Sequence, residues 1–332
     1  MNQLVLLAVT TSFVALRSVP TMAASPAPPL VLERTITLPG VGGRIDHLAV
    51  DLQHRRLFVA ELGNGTVEAV DLDTGKVAHR IGGLKEPQGL AYLPARNELV
   101  VASGGDGMVR FYDADTFVLT GSIHVGDDAD NVHVEPRSGH VVVGYGTGAL
   151  AVIDPATRRI VGALPLPAHP EGFRIDESGG RVIVNVPDAQ QIVVGDLASG
   201  RVVTSWKAAH RWNFPMALDP ASGAAAVVYR LPSRLAVLDA GTGQVRQDLP
   251  ACGDADDVFF DAKRHRLYVS CGTGKVDVLQ AGPGGYRAVA SAGTRLGART
   301  SLFVPELDRL FVAARAGLVG LEAAILVFRL QP

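Results

Sequence analysis

Acid and amide side chains recur along this chain at nearly equal intervals: Asp46, Gln88, Asp130, Glu171 and Asp256. With Phe214 and Thr300 they mark seven positions separated by 42, 42, 41, 43, 42 and 44 residues. The following residue in each copy is His47, Gly89, Asn131, Gly172, Pro215, Asp257 or Ser301, and Arg44, His169, Arg211 and Arg299 stand just upstream. A fold that gathered these segments around one axis would crowd four carboxylates among imidazoles and guanidinium groups. Crowded carboxylates raise one another's pKa values or draw in a cation. Oxygen ligands suit Ca²⁺, Mg²⁺ or Mn²⁺ better than zinc, which makes Asp46, Asp130, Glu171 and Asp256 the expected metal ligands. No cofactor beyond such a cation is implied. In a hydrolytic reading His47, or one carboxylate of raised pKa, is the expected general base. Arg44, Gln88, Asn131, His169, Arg211, Tyr229, Arg230, Asp257 and Arg299 are the expected ligand-binding groups. The plainer reading of each acid is that it satisfies turn N–H groups or lines a hydrated channel.

The elements that would position these residues are legible in the same period. The cleanest copy, DHLAVDLQHRRLFVAELGNGTVEAVDLDTGKV, runs from Asp46 to Val77. It reads as an inner strand at 48–50, a charged turn, a second strand at 57–60, a Gly-Asn-Gly turn, a third strand at 67–70 and a fourth from Val77. Second strands elsewhere read ELVVAS, HVVVGY, RVIVNV, AAAVVY, RLYVSC and RLFVAA, and third strands MVRFYD, ALAVID, QIVVGD, RLAVLD and KVDVLQ. Alternating apolar runs between Asn-Gly, Asp-Gly and Thr-Gly turns are hairpin vocabulary. Seven copies at this period predict an all-β fold, a seven-bladed β-propeller of four-stranded antiparallel blades. The seventh copy lacks an outer strand, whereas Leu30–Leu38 (LVLERTITL) has no repeat of its own. That segment is expected to supply the missing strand, close the ring and leave no open edge. Residues 25–332 then form one domain. In this topology the residues before each inner strand ring the channel mouth. The loops after the second strands share that face and add Glu61, Asp106, Tyr145, Asn185, Tyr229, Arg230 and Arg315.

A formal net charge of −2 over 332 residues argues against a nucleic-acid partner, which requires a concentrated basic surface. Leu4–Leu16 is an apolar run followed by Thr21-Met22-Ala23-Ala24, a small-residue cleavage site. Residues 1–24 therefore read as a signal peptide and the mature chain as periplasmic or secreted. The apolar run falls short of the roughly 20 residues a membrane span needs. Cys252 and Cys271 flank strands of the sixth copy at points on one face, where a disulfide is geometrically plausible. The alternative is two unpaired small apolar side chains. The basic turns at His54-Arg55-Arg56 and Lys263–Arg266 fall on the opposite face and read as solvated. No Ser/His/Asp spacing or nucleophile elbow is present.

Segments such as LFVAELGNGTVEAVDLDTGKV, VVVGYGTGALAVIDPATRRIV and LYVSCGTGKVDVL resemble the YVTN-type β-propeller repeats of secreted and periplasmic bacterial proteins. In place of that family's signature tetrapeptide the chain has FVAE, VVAS, VVGY, VIVN and YVSC. The resemblance covers the whole mature chain and implies a seven-bladed propeller. Its relatives include ligand-binding proteins, lactone-hydrolysing enzymes, a lyase and subunits of redox complexes, and no catalytic set carries over residue by residue. The expected function is a monomeric periplasmic binding or scaffold protein that holds a small ligand, a cation or a partner protein at its acidic, Arg-flanked mouth. The alternative is a divalent-metal-assisted hydrolase or lyase of the lactonase type at the same place.

Overall fold

The computed structural model of the chain describes Met1 and residues 27–176, 180–317 and 320–332. Apart from Met1, the expected leader lies outside the described residues. The described chain forms seven antiparallel sheets of four strands each. In blade 1 the strands run outward in chain order: Leu48–Asp51, Arg56–Glu61, Thr66–Asp71 and Lys76–Ile81. Blades 2 to 6 repeat this over residues 87–124, 132–165, 173–207, 211–250 and 255–293.

Blade 7 departs from that order, as the sequence predicts. Its strands Ser301–Val304, Arg309–Ala314 and Ala323–Leu330 are completed by Leu30–Leu38. The pairing is antiparallel, from Leu30 opposite Leu330 to Leu38 opposite Ala323, with one bulge between Leu32 and Arg34. Arg34 then donates to the Leu72 carbonyl of blade 1, so the closing strand also clasps the next blade.

The second and third strands are buried on both faces because each blade is stacked between two others. Leu57, Phe58, Val59 and Ala60 are all fully buried, although they point alternately to opposite faces. Val59, Val70 and Leu57 of blade 1 meet Phe311, Ile325 and the closing strand's Ile36 in one cluster. Full burial of such a side chain contributes about 1.5–3 kcal/mol. Arginines tie neighbouring blades at the rim: Arg56 donates to the Ala114 carbonyl, Arg181 to the Ala240 carbonyl, and Arg264 pairs with Asp308 at 2.8 Å. The basic turns read as merely solvated therefore also join blades. The Asp-x-x-Thr turns have an equally local cause. The carboxylate of Asp71 accepts from the Thr74 N–H at 2.7 Å, and Asp113 and Asp239 repeat the arrangement with Thr116 and Thr242.

Two glycines of the repeat are there for packing. A Cβ on Gly89 would lie 1.9 Å from the Asp130 carbonyl oxygen, and one on Gly172 2.6 Å from that of Phe214. Adjacent blades approach here through their backbones. The cysteines are joined as Cys252–Cys271, with Cα atoms 5.9 Å apart and a sequence separation of 19. Both are buried. Replacing both by Ala is expected to cost about 3 kcal/mol through the loop constraint and to lower Tm by roughly 5–10 °C. Calorimetry of the oxidised protein against the double variant reads this directly. Equal Tm values would show that the bond constrains nothing the blade does not already hold.

Candidate functional site

Three blades fix their mouth residues with the same pair of backbone hydrogen bonds. In blade 1 the Asp46 N–H donates to the Ala60 carbonyl at 2.7 Å and the Ala60 N–H to the His47 carbonyl at 3.0 Å. Asp130 and Asn131 are held in this way on Gly144, and Glu171 and Gly172 on Asn185. The mouth residues therefore sit on rigid strand ends rather than on free loops. They line a cavity of ≈ 260 Å³ to which all seven blades contribute. Of the expected groups, Arg44, Asp46, His47, Gln88, Asp130, Asn131, His169, Glu171, Arg230, Asp256, Asp257 and Arg299 line it.

Tyr229 and Arg211 do not. The Tyr229 side chain is fully buried, with its hydroxyl accepting from the Ala209 N–H at 3.2 Å and its ring edge-on to His210. Arg211 is exposed at the start of a long inner strand, Arg211–Asp219. A bulge between Asn213 and Met216 shifts the register in this blade. Phe214 and Pro215 nevertheless keep the mouth positions that the period gives them, and Arg230, the residue after Tyr229, reaches the cavity.

The charges at the mouth are heavily paired. Arg44 pairs with Asp46 at 2.5 Å and reaches Gln88 at 3.3 Å. Arg230 pairs with Asp256, donates to the Ala255 carbonyl at 2.9 Å and lies 3.7 Å over the Phe214 ring. Arg299 bridges Asp254 and Asp256, both at 2.8 Å. His47 Nε2 lies 3.6 Å from Asp130 and 3.8 Å from Asp46. Burial by itself would discharge this imidazole, but Asp130, Asp46 and Asp257 outweigh it and push its pKa up to about 10. Burial lifts Asp257 to about 7 against the pull of His47 and the Ser301 N–H. Glu171 is pushed well above the usual carboxylate range by burial and then by Asp130 and Asp256, with Arg230 opposing. Burial also raises Asp256, outweighing its two arginines.

The four expected metal ligands share this cavity, but two are already engaged by guanidinium groups. Among the described residues no three His, Cys, Asp or Glu side chains converge in the manner of a metal site. Asp130 and Glu171 offer the free oxygens: Asp130 Oδ1 is enclosed without a hydrogen bond.

Three features of the mouth escaped the sequence reading. Asp128 lines it and receives a hydrogen bond from Gln88 at 3.3 Å, Asp254 anchors Arg299, and Arg174 closes its floor. Arg174 also lines a second cavity of ≈ 390 Å³ further down the channel, together with His133. A signal for both existed. Three residues after each of the seven mouth positions the sequence reads Ala49, Ala91, His133, Arg174, Ala217, Phe259 and Phe303, so the two polar side chains stand out. Behind the mouth, Glu61 proves to be buried rather than a mouth group. It accepts from the Thr66 hydroxyl beside Glu68, which Arg80 holds. Burial first, then Glu68, raises Glu61 to about 8.

The class defined by this fold and cavity is a seven-bladed β-propeller with a charged, water-sized-to-small-molecule cavity at one end of its channel. The chain superposes on a chain of the mitotic checkpoint complex with a TM-score of 0.77 at 15% identity, over 98% of this chain and 99% of that one. It superposes on a chain of Kuenenia stuttgartiensis hydrazine synthase with a TM-score of 0.72 at 19% identity, over 86% of this chain and 97% of that one. At these identities the likeness is one of fold. No protein-family model matches the sequence, and no curated protein does.

Proposed function

We propose that the protein is an exported β-propeller of the YVTN type that binds a small polar ligand in the mouth of its channel. The observation that carries this reading is the cavity itself. Seven blades bring polar, mostly charged, groups into ≈ 260 Å³, and desolvating so many charges costs stability, a cost that a ligand site accounts for. The disulfide suits an oxidising compartment, in keeping with the leader-like residues 1–24. Among the described residues no helix is long and apolar enough to cross a membrane.

Binding is favoured over metal-assisted hydrolysis by the pairing at the mouth: Asp46 and Asp256, two of the four expected metal ligands, are already held by arginines. The lactonase alternative would use Asp130 and Glu171 as oxygen ligands. A rise in Tm with Ca²⁺, Mg²⁺ or Mn²⁺, lost in Asp130→Asn, would favour it. Metal analysis without bound cation and a flat titration would remove it.

The binding reading is tested with a metabolite thermal-shift screen on the wild type, Arg230→Gln and His47→Gln. Hits are expected to raise the wild-type Tm and to lose most of that rise in both variants, each first shown folded by circular dichroism. Hits that act equally on all three proteins would place binding elsewhere. Size-exclusion chromatography with light scattering checks the monomeric state.

A further inference from the structure

The hydrogen bonds already made at the mouth divide its charged groups into two sets. Arg44, Arg230 and Arg299 each hold a carboxylate of the protein. Three groups do not have such a partner. The Glu171 carboxyl, half-buried in the cavity wall, has no hydrogen bond or ion pair to any described residue. Asp130 Oδ1, on the neighbouring blade, is enclosed and accepts no hydrogen bond; its charge partner, the protonated His47, stands 3.6 Å away, beyond hydrogen-bond reach, so that acceptor site is open. Arg174 has no carboxylate within ion-pair distance among the described residues. Its Nη1 donates to the Phe173 carbonyl at 2.8 Å and lies 3.1 Å from His133 Nε2. Burial, then Arg174 and His47, hold His133 well below its ordinary pKa, so it faces Arg174 as a neutral acceptor. The remaining Arg174 N–H groups have no protein acceptor.

These three groups line one cavity, and their order along the channel is set by the strand. Glu171 stands at the head of the inner strand Phe173–Ile175, Asp130 at the head of the strand beside it, and Arg174 one step deeper. Open acceptors thus lie above an open cationic donor. A buried charge left without its counterpart costs several kcal/mol, and a buried acceptor left unsatisfied about 1–3 kcal/mol. A monoanion would satisfy Arg174 while adding negative charge beside Glu171 and Asp130. A simple amine would leave Arg174 open. The volume is at or below the small end of ordinary ligand pockets, about 300–1,000 Å³, so the ligand's two charges must be only a few bonds apart.

We propose that the mouth binds a small zwitterion, an amino acid or related amino carboxylate, with its ammonium against Glu171 and Asp130 and its carboxylate on Arg174. This assignment rests on the reading of the mouth as a ligand site and adds the chemistry of the ligand.

The test is isothermal titration at pH 7.5 with the common L-amino acids, each compared with its amide, which lacks the carboxylate, and its deaminated acid, which lacks the ammonium. At least one amino acid is expected to bind, with its amide and its deaminated acid each about tenfold or more weaker. Glu171→Gln should erase the advantage of the amino acid over its deaminated acid and leave binding of that acid unchanged. Arg174→Gln should erase the advantage over the amide and leave the amide unchanged. Circular dichroism and the apo Tm of each variant separate these effects from misfolding. An amide or deaminated acid that binds as tightly as its parent, or no binding by any amino acid, overturns the proposal. A neutral or anionic ligand whose binding is lost in Arg230→Gln and His47→Gln would overturn the zwitterion while leaving the mouth a binding site. Binding that survives all four variants would overturn both.

Discussion

Deleting Leu30–Leu38 is expected to leave no folded monomer. That strand makes the outer edge of blade 7 through pairings from Leu30–Leu330 to Leu38–Ala323. Without it the strand Ala323–Leu330 becomes an open edge carrying Ile325, Val327 and Phe328, all buried in the intact ring. An exposed, apolar edge strand is a template for aggregation. Ile36 and Leu38 also pack against Leu57 and Val59 of blade 1, so the deletion strips the seam between the last blade and the first. The truncated protein should show no cooperative melt and should elute in the void volume. A peptide of residues 30–38 supplied in excess should restore part of the melt by strand addition. A graded form of the prediction avoids dependence on complete unfolding. Ile36→Ala should cost about 2–5 kcal/mol, while the neighbouring exposed Thr35→Ala should stay within about 0.5 kcal/mol. A truncated chain that is monomeric and melts like the wild type would show that the ring is held closed elsewhere.

The closing strand also shows how far the sequence could be read. Leu30–Leu38 lacked a repeat and the seventh copy lacked a strand, and the two absences were complementary because a ring has no ends. The period worked as well for the mouth. His47, Asp130 and Glu171 fall where the 42-residue interval puts them, because reciprocal backbone bonds repeat in blades 1, 3 and 4, and Gln88, Phe214 and Asp257 do so despite register shifts in blades 2, 5 and 6. It failed for Tyr229, which packs into the core between blades while Arg230, the next residue along the strand, reaches the mouth. Pairing was invisible for a different reason. Arg230 and Arg299 meet Asp256 from separate blades, and nothing in one chain's spacing says which acid an arginine will choose. Arg174 was overlooked because it lies inside a strand, where a period read at strand ends does not look.

Stability is expected to fall as the solution is made alkaline, with His47 responsible for the upper part of the slope. Its folded-state pKa of about 10 lies above the ordinary 6.5. The bound proton therefore stabilises the folded chain fully below pH 6.5, and that contribution is lost as the pH rises through 10. Two carboxyls add slope in the same direction. Asp257 holds its proton to about 7 and Glu61 to about 8, so ionising them costs the folded state but not the unfolded chain. Their penalty grows from the ordinary carboxylate range up to those values. The acid limb has the opposite sign. Turn carboxylates such as Asp71, Asp113 and Asp239, the last held at about 2, are lowered by the N–H and hydroxyl donors of their turns, with Arg246 leading at Asp239. Their contribution is present above about pH 4 and lost as the pH falls through their folded values. Tm should therefore peak in mildly acid solution and decline from there to pH 10, by an amount on the order of a few kcal/mol in stability. His47→Gln should lower Tm at pH 6, flatten the profile between pH 6.5 and 10, and converge on the wild type at the alkaline end. Glu61→Gln should flatten only the window from about pH 4.5 to 8, because its carboxyl sits behind the mouth beside Glu68 and Arg80. Calorimetric melts at closely spaced pH values in constant ionic strength separate the two windows. Profiles for His47→Gln that run parallel to the wild type would mean that His47 is neutral in the folded protein.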